Sequence, residues 1–469
     1  MNLKNKKKIY MIGIKGVGVS MLAQFLVEKG FEVTGSDTAE VFMTDKVLKK
    51  CGIKVHQGFS IDNLPERDHI IIYSSAYNEK TNIEFAEAKK RGLEMYSFAE
   101  ALGYFFSSYF GIAVAGSHGK TTTTAWLGYV LEKSFLAPNV MVGANVDQLG
   151  GCSITGSSDY LLIEADEYQN KLKHYNPNAV LLNNIDYDHP DFFPTKDDYN
   201  QVFVDFITKI PKNGFLVANF DDDTVKRIAN VNTRAKVISY AINELADYVA
   251  YNIEQRDDKQ YFKVKLGVDP FDEDEGPNEL GDFSISLSGE HNVYNALAVI
   301  ATCIELNVPL VQIRSHLEDF KGVSRRMEMM GRFRGATIID DYAHHPTEIS
   351  ATIAGIKKKY PKKHVLTVFH PHTFTRTKGL IDEFAKSFSD TDELIVLDIY
   401  GSAREEQGGV HSKDLILKIE EQNPDLHVIY IPTLEKCEEY LRGKLDQNYL
   451  CVLMGAGDVF RIGERLVNN

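Results

Sequence analysis

The hydrophobic pattern of the chain alternates between short apolar runs and longer amphipathic segments. Apolar runs bounded by glycine or polar turns predict buried strands, and amphipathic segments predict helices. Before residue 100, three strands are predicted, at residues 9–12, 32–35 and 69–73, so that residues 69–73 form the third strand. The predicted helices are residues 21–28, 46–50 and 82–90. This alternation is typical of a small parallel sheet covered by helices.

The alternation continues through the rest of the chain. The predicted strands of one central parallel sheet are residues 160–164, 179–183 and 215–219. Residues 245–288 differ, because short polar strands flank an acidic stretch at 269–281, and they predict a small antiparallel insertion with an exposed loop. After a predicted linker at 321–323, several apolar strands each run into a polar loop. Loops at the carboxyl ends of parallel strands are where such sheets bind ligands.

These patterns predict an α/β protein of three domains. The predicted domains span residues 1–107, 108–321 and 322–469. The first and third have a Rossmann-like alternation, and the central one is a parallel sheet with the small antiparallel insertion. The length of 469 residues agrees with this division, since it exceeds what one hydrophobic core usually supports.

Composition narrows the class of protein. Hydrophobic residues make up 43% and charged residues 25% of a chain with a formal net charge of −14, which argues against a general nucleic-acid or membrane-surface binder. The five cysteines are scattered without metal-ligand spacing, so we expect reduced thiols in a cytoplasmic protein. The basic start is interrupted by glycines, which is unlike a signal peptide, and no apolar stretch is long enough to span a membrane.

A glycine-rich turn in the sequence IAVAGSHGKTTTT, residues 112–124, suits phosphate binding. An apolar strand enters the turn and a helix leaves it, so backbone N–H groups and the helix N-terminus face an anion. Lys120 can reach the outer phosphates, and the Thr121 hydroxyl can hold Mg²⁺. The match to the general P-loop pattern is incomplete, because Val114 stands where that pattern has its first glycine. The residues predicted to bind ATP here are Gly116, Ser117, His118, Gly119, Lys120, Thr121 and Thr122.

A second glycine loop follows the first predicted strand. Its spacing, Gly13-x-x-Gly16-x-Gly18, can cradle a diphosphate but differs from the G-x-G-x-x-G of nicotinamide dinucleotide folds. Asp37 ends the second strand, where such folds place a ribose-binding carboxylate, and Ser74 and Ser75 follow residues 69–73. A UDP-sugar and a nicotinamide dinucleotide both remain candidates from this pattern alone.

Acidic residues and one histidine follow two central strands. Glu164, Asp166 and Glu167 leave one strand, and Asp186, Asp188, His189 and Asp191 leave the next. Oxygen ligands suit a hard cation among phosphates, and a neutral imidazole can complete a second site. We expect Asp166, Asp188 and Asp191 only to solvate loops.

Several segments together resemble the Mur ligase family, which builds the peptide stem of bacterial cell-wall precursors. The resemblance rests on GSHGKTT, GEHNVYNALA, DDYAHHP and HPHTFTRT, and it extends over about residues 8–465 in consistent order. It implies an ATP- and Mg²⁺-dependent ligase that forms an amide through an acyl-phosphate. The three domains would bind a UDP-sugar, bind ATP, and close over the amino acid, respectively.

The resemblance also implies roles for individual residues. The implied metal ligands are Thr121, Glu164 and His189. The implied ATP-binding residues outside the loop are His291, Asn292, Asn295, Arg326 and Asp341, and the UDP-sugar site comprises Gly13, Gly16, Gly18, Asp37, Ser74 and Ser75. The implied catalytic residues are Lys120, His344, His372 and Arg376, with Tyr342, His344 and Arg376 binding the amino acid. Thr373 stands where many relatives have an arginine, so the partner of the amino-acid carboxylate is left open.

Within the family, GIKGVGVS, EADEY and DIYGSARE are most similar to the branch that adds L-alanine to UDP-N-acetylmuramate. A branch that recycles an intact tripeptide stays open, and so does a nicotinamide-dependent oxidoreductase with an accessory nucleotidase domain. The choice between His344 and His345, and between His370 and His372, is also open. We expect a monomer or homodimer with small-molecule substrates.

Overall fold

Three separate sheets, each flanked by helices, follow one another along the chain. The computed structural model describes residues 6–42, 44–267, 279–401 and 407–468. The predicted α/β class with three domains is confirmed. Within the described residues, no helix combines the length and apolar character that crossing a membrane requires.

The N-terminal domain is a five-stranded parallel sheet in the order β3-β2-β1-β4-β5. Its strands are β1 Lys8–Ile12, β2 Glu32–Asp37, β3 Lys54–Gln57, β4 His69–Tyr73 and β5 Met95–Ser97. Its helices are α1 Val17–Glu28, α2 Asp45–Lys50, α3 Ile83–Lys90 and α4 Phe98–Phe106. Counting β4 as the third strand was wrong, because β3 precedes it. That edge strand, KVHQ, is short and polar and has no apolar run to reveal it.

The central domain has a ten-stranded sheet in the order β15-β14-β13-β12-β11-β10-β6-β9-β7-β8. The strands are β6 Phe110–Ala115, β7 Asn139–Val146, β8 Gly151–Ile154, β9 Tyr160–Glu164, β10 Ala179–Leu182, β11 Phe215–Asn219, β12 Lys236–Ala241, β13 Tyr248–Arg256, β14 Lys259–Leu266 and β15 Glu279–Ile285. The helices are α5 Lys120–Lys133, α6 Lys196–Ile207, α7 Asp223–Asn232, α8 Glu290–Glu305 and α9 Leu310–Asp319. Strands β13, β14 and β15 pair with one another in antiparallel fashion. They extend the main sheet, because β13 also pairs in parallel with β12. Most of the predicted acidic loop, residues 268–278, lies outside the described residues.

The third domain has a six-stranded sheet in the order β16-β17-β21-β18-β19-β20, parallel except for β16. The strands are β16 Glu328–Phe333, β17 Ala336–Asp341, β18 His364–Phe369, β19 Glu393–Val396, β20 His427–Tyr430 and β21 Tyr449–Met454. The helices are α10 Pro346–Lys359, α11 Phe374–Gly379, α12 Ile381–Lys386, α13 Ser412–Gln422, α14 Leu434–Lys444 and α15 Phe460–Val467.

The first two domains share hydrophobic packing, whereas the third has its own core. One cluster of buried side chains runs from Leu22 and Phe25 of α1 to Met141 of β7, so the N-terminal domain is anchored on the central sheet. The two clusters of the third domain contain no side chain from the other domains among the described residues. The third domain instead meets the central one largely through charged and polar side chains, which is typical of a domain that moves.

Candidate functional site

The glycine turn between β6 and α5 is shaped by backbone geometry that only glycine adopts easily. Gly119 has a left-handed φ of +77°, and a Cβ there would lie 2.6 Å from Oδ1 of Asn295. Lys120 begins α5, and its Nζ donates to the carbonyls of Gly116 and Ser117 at 2.6 and 3.0 Å. Nζ also donates to Oε2 of Glu167 at 2.9 Å. The ammonium is therefore held across the mouth of the turn, where phosphate oxygens would meet it.

A cavity of about 700 Å³ opens on one side of this turn. The predicted ATP-binding residues His291, Asn292 and Asn295 line it, and so do Arg326 and Asp341 from the third domain. Both asparagines are buried, and the amide of Asn295 donates to Oδ1 of Asn292 at 3.1 Å. Burial lowers the pKa of His291 to about 4, so its ring is neutral. The cavity offers amide and imidazole groups of the kind that hydrogen-bond a purine edge.

A second cavity, of about 800 Å³, lies on the other side of the turn where all three domains meet. Lys120, Thr121, Glu164 and His189 line it together. The hydroxyl of Thr121 donates to Oε1 of Glu164 at 2.8 Å, and Gly143 N donates to Oε2 at 2.8 Å. This pair presents hard oxygen donors next to the phosphate loop, which fits a Mg²⁺ bound with ATP.

The third domain contributes charged groups to both cavities. Gly119, Ser324, Arg326 and Glu348 line both of them, so the two cavities meet at these side chains. The guanidinium of Arg326 lies 3.5 Å from Oε1 of Glu348 and stacks over Tyr342 at 5.2 Å. A fixed cation at the junction suits a phosphoryl group in transfer.

The two histidines of the segment YAHHP have different surroundings. Nδ1 of His344 lies 3.0 Å from the Tyr342 carbonyl and 3.4 Å from Oε2 of Glu348, and its ring lines the second cavity. Burial lowers the pKa of His344 to about 3, so the ring is neutral near the reacting groups. His345 is buried against the central domain, 3.5 Å from Oδ2 of Asp186. Of the two, His344 has the geometry for substrate contact.

Arg376 joins the third domain to the central one. Its Nε donates to Oδ1 of Asp188 at 2.9 Å and its Nη2 donates to Oδ2 at 3.1 Å, with both side chains buried. The Arg376 guanidinium holds the pKa of Asp188 well below its usual range. The expectation that Asp188 only solvates a loop was wrong, because the hydrophobic pattern of one domain carries no information about a partner in another. His372 lies beside Arg376 at 3.3 Å and stacks on Tyr400.

Asp166 and Asp191 are nearer to the expected loop role, although both are paired. Asp166 forms an ion pair with Lys171, and Tyr168 donates to Asp191 at 2.8 Å. Asp191 is exposed. Neither carboxylate is buried against another domain as Asp188 is.

Four non-glycine residues at this junction have a positive φ. His189, Arg325, Met327 and Thr373 all have φ between 48° and 69° although none is glycine. Thr373 caps α11, and its hydroxyl accepts from Arg376 N at 3.4 Å. Such conformations cost about 1–3 kcal/mol each and persist where surrounding contacts hold them, often at functional sites.

The predicted UDP-sugar residues gather around the first glycine loop. Gly13 has a φ of +79°, and a Cβ there would lie 2.9 Å from Cβ of Ser74. Asp37 is buried and accepts from Lys15 N at 2.7 Å and from Thr38 N at 2.8 Å. These hydrogen bonds stabilise the conformation of the first glycine loop. Ser75 is exposed nearby. The second cavity reaches this domain through Val17, between Gly16 and Gly18.

Glu348 was missed by sequence reasoning and is a central side chain of the site. It contacts Arg326, His344 and His118, and these cations and imidazoles hold its pKa well below the usual range. A signal existed: in HHPTE the glutamate lies in the first turn of α10, the helix that begins directly after the two histidines. A carboxylate in the first turn of a helix is close to the residues that lead into that helix.

Comparison with known proteins agrees with this geometry. Three family models match successive parts of the chain: "Mur ligase family, catalytic domain" at residues 8–110, "Mur ligase middle domain" at 114–303, and "Mur ligase, glutamate ligase domain" at 325–457. A UDP-N-acetylmuramate–L-alanine ligase from Desulfitobacterium hafniense is 38% identical over 460 residues, covering 98% of this chain and 99% of that protein. The chain belongs to the Mur ligase family.

Other members of the Mur ligase family support the same placement. A UDP-N-acetylmuramate–L-alanine ligase from Caldicellulosiruptor bescii is 40% identical, with 96% of each chain covered. The crystal structure of the UDP-N-acetylmuramate-alanine ligase from Thermotoga maritima has a TM-score of 0.81 at 24% identity, with 98% of each chain covered. A murein peptide ligase from Psychrobacter arcticus also shares the fold, with a TM-score of 0.74 at 24% identity and 98% of each chain covered.

Proposed function

We propose that this Mur ligase joins L-alanine to UDP-N-acetylmuramate, with ATP as the energy source, and forms an acyl-phosphate on the way. The observation that carries the proposal is the junction of the two cavities at Gly119, Arg326 and Glu348. One cavity has the size and amide lining for a nucleoside triphosphate. The other extends from the phosphate loop towards Val17 of the first domain, which suits a long UDP-sugar whose carboxylate reaches the outer phosphate. The proposal includes a cytoplasmic location, where such substrates and reduced cysteines occur.

The mechanism follows from what these side chains can do. The sugar carboxylate attacks the outer phosphate of ATP, and the acyl-phosphate forms as the bond to the bridging oxygen breaks and ADP leaves. Lys120 and Arg326 neutralise the developing charge. The alanine amine then attacks the acyl-phosphate, and inorganic phosphate leaves as the amide forms. His344, neutral and next to Glu348, is placed to hold a proton at Nε2 or to orient the amine. Thr121, Glu164 and His189 would hold a Mg²⁺ ion, which would supply positive charge next to the phosphate groups.

Closure of the third domain is part of this proposal, since it supplies Arg326, Tyr342 and His344. Separate domains bind the two large substrates, and the reaction needs both brought to one point. The polar contacts between Arg376 and Asp188, and between Thr347 and Asp186, stabilise the closed arrangement.

We expect phosphate release with saturating ATP and UDP-N-acetylmuramate to depend on L-alanine. Glycine and L-serine should be weaker nucleophiles by about 10–200-fold in kcat/KM, because one methyl or hydroxyl shifts discrimination by about 1–3 kcal/mol. Steady-state phosphate release across a panel of amino acids measures this order. Release that needs a tripeptide and ignores alanine would transfer the chain to the recycling branch.

Replacing Glu164 or His189 by glutamine should raise the Mg²⁺ concentration needed for half-maximal rate by about tenfold or more, because a ligand is lost. The measurement is a magnesium titration of turnover at fixed ATP. Asp191→Asn is the matched control, since Asp191 lies in the same loop as His189 but is exposed and bonded to Tyr168. Overlaying titration curves for all three variants and the parent would contradict the proposed metal site.

A further inference from the structure

Three side chains with metal-ligand chemistry meet at the boundary of the central and third domains. Nε2 of His118 lies 3.1 Å from Oδ2 of Asp186, and Nδ1 of His345 lies 3.5 Å from the same oxygen. All three ligand atoms lie within 4.8 Å of one another. Around a tetrahedral Zn²⁺ with bonds of about 2.0–2.1 Å, neighbouring ligand atoms are about 3.4 Å apart. The cluster therefore has close to the spacing that a bound ion requires.

The surroundings of His345 give a second and independent indication of a metal site. Its side chain is 5% exposed, and neither ring nitrogen has a hydrogen-bond partner among the described residues. Buried polar atoms in proteins are nearly always satisfied, so two unpartnered nitrogens on one ring need an explanation. Nδ1 is directed towards Asp186, and the ring lies 4.8 Å from that of His118. A lone pair on Nδ1 of His345 would therefore point to where a metal ion can bind.

The cluster also has the outer contacts that orient metal ligands. Nδ1 of His118, the ring nitrogen not facing Asp186, lies 3.3 Å from Oε1 of Glu348. A carboxylate on the far nitrogen of a metal-binding histidine fixes its ring orientation and strengthens it as a ligand. The hydroxyl of Thr347 donates to Oδ2 of Asp186 at 2.5 Å and so restrains the carboxylate.

We propose that His118, Asp186 and His345 bind one Zn²⁺ ion, or another borderline divalent transition ion, and that this ion holds the third domain closed. Two imidazoles among the three ligands favour such an ion over Mg²⁺, which binds mainly oxygen ligands and keeps several of its waters. His118 and Asp186 belong to the central domain and His345 to the third. The site is thus complete only in the closed arrangement, and an ion bound there shifts the population towards closure. This inference holds whatever amino acid the enzyme uses.

Calorimetric titration of the full chain with Zn²⁺, in excess Mg²⁺ to fill the site at Glu164, tests the proposal. We expect one Zn²⁺ per chain, and binding weakened by at least about tenfold in His345→Gln and in Asp186→Asn. The matched control is His370→Gln, because His370 is also a buried histidine of the third domain with an unpartnered Nδ1, but it lies beside Asp458. Glu164→Gln controls for zinc at the magnesium site, and both controls should bind as the parent does.

A second measurement reports on the domains and not on activity. Zn²⁺ should reduce the radius of gyration of the parent in small-angle scattering and raise its Tm, and it should do neither in the two cluster variants. The proposal is overturned if the parent binds no zinc in excess Mg²⁺, or if both cluster variants bind it as tightly as the parent. It is also overturned if the His370 control loses binding equally, or if zinc leaves the radius of gyration unchanged. Should His345→Gln fail to fold, the Asp186→Asn result decides.

Discussion

Lys120→Ala abolishes turnover but leaves binding of UDP-N-acetylmuramate nearly unchanged. The expected loss in kcat is on the order of 10³-fold or more, because the ammonium neutralises charge on the transferred phosphoryl group. Binding of the UDP-sugar survives because the first glycine loop, residues 13–18, and the ATP turn at 116–121 follow strands of two different sheets. Phosphate release measures the first effect, and calorimetric titration with the UDP-sugar measures the second.

The design must separate catalysis from folding. Lys120 is the ion-pair partner of the buried Glu167, and an unpaired buried carboxylate costs about 3–5 kcal/mol. The double variant Lys120→Ala/Glu167→Gln removes that charge and should also be inactive. Lys133→Ala, at the exposed end of the same helix, is the matched control and should turn over normally. Loss of UDP-sugar binding in a folded Lys120→Ala protein would show that the two nucleotide sites are not separate.

Arg376→Lys lowers kcat on the order of 10²-fold, and Asp188→Asn lowers it by a similar factor. Lysine cannot make the two parallel hydrogen bonds that Arg376 makes with Asp188. Breaking a buried pair between domains weakens their association by about 2–5 kcal/mol. Because the pair lies between domains and outside the core of either, the Tm of each variant should change little. Steady-state kinetics with alanine varied, and thermal unfolding, measure the two effects.

The same experiment decides how Arg376 acts. If the pair holds the domains closed, the double variant Arg376→Lys/Asp188→Asn is little worse than either single one, since both remove the same interaction. If Arg376 instead binds the alanine carboxylate, its variant raises the KM for alanine and Asp188→Asn does not. Lys378→Ala is the matched control, because Lys378 lies on the same helix and is exposed.

Much of the site could be predicted from the sequence because its parts are local. A glycine turn between an apolar strand and a helix specifies a phosphate loop within a few residues, and the GSHGKTT turn is found where it was expected. Buried strands of parallel sheets are continuous apolar runs, so β1, β9 and β11 were recognisable. The polar strand β3 was not, because an edge strand is held by backbone hydrogen bonds that place no demand on side-chain polarity.

The tertiary structure alone decided which charges meet across domains. Asp188 follows a central strand and Arg376 lies in the first turn of a helix of the third domain, and nothing in either segment identifies the other as its partner. The same holds for His118 and Glu348, which are far apart in sequence but 3.3 Å apart in space. Local sequence patterns indicate which residues of a segment are buried and where the chain turns, whereas the pairing of charges depends on how whole domains pack. The sequence therefore determined the fold and the glycine turn at 116–121, and the packing of the third domain determined the electrostatics around them.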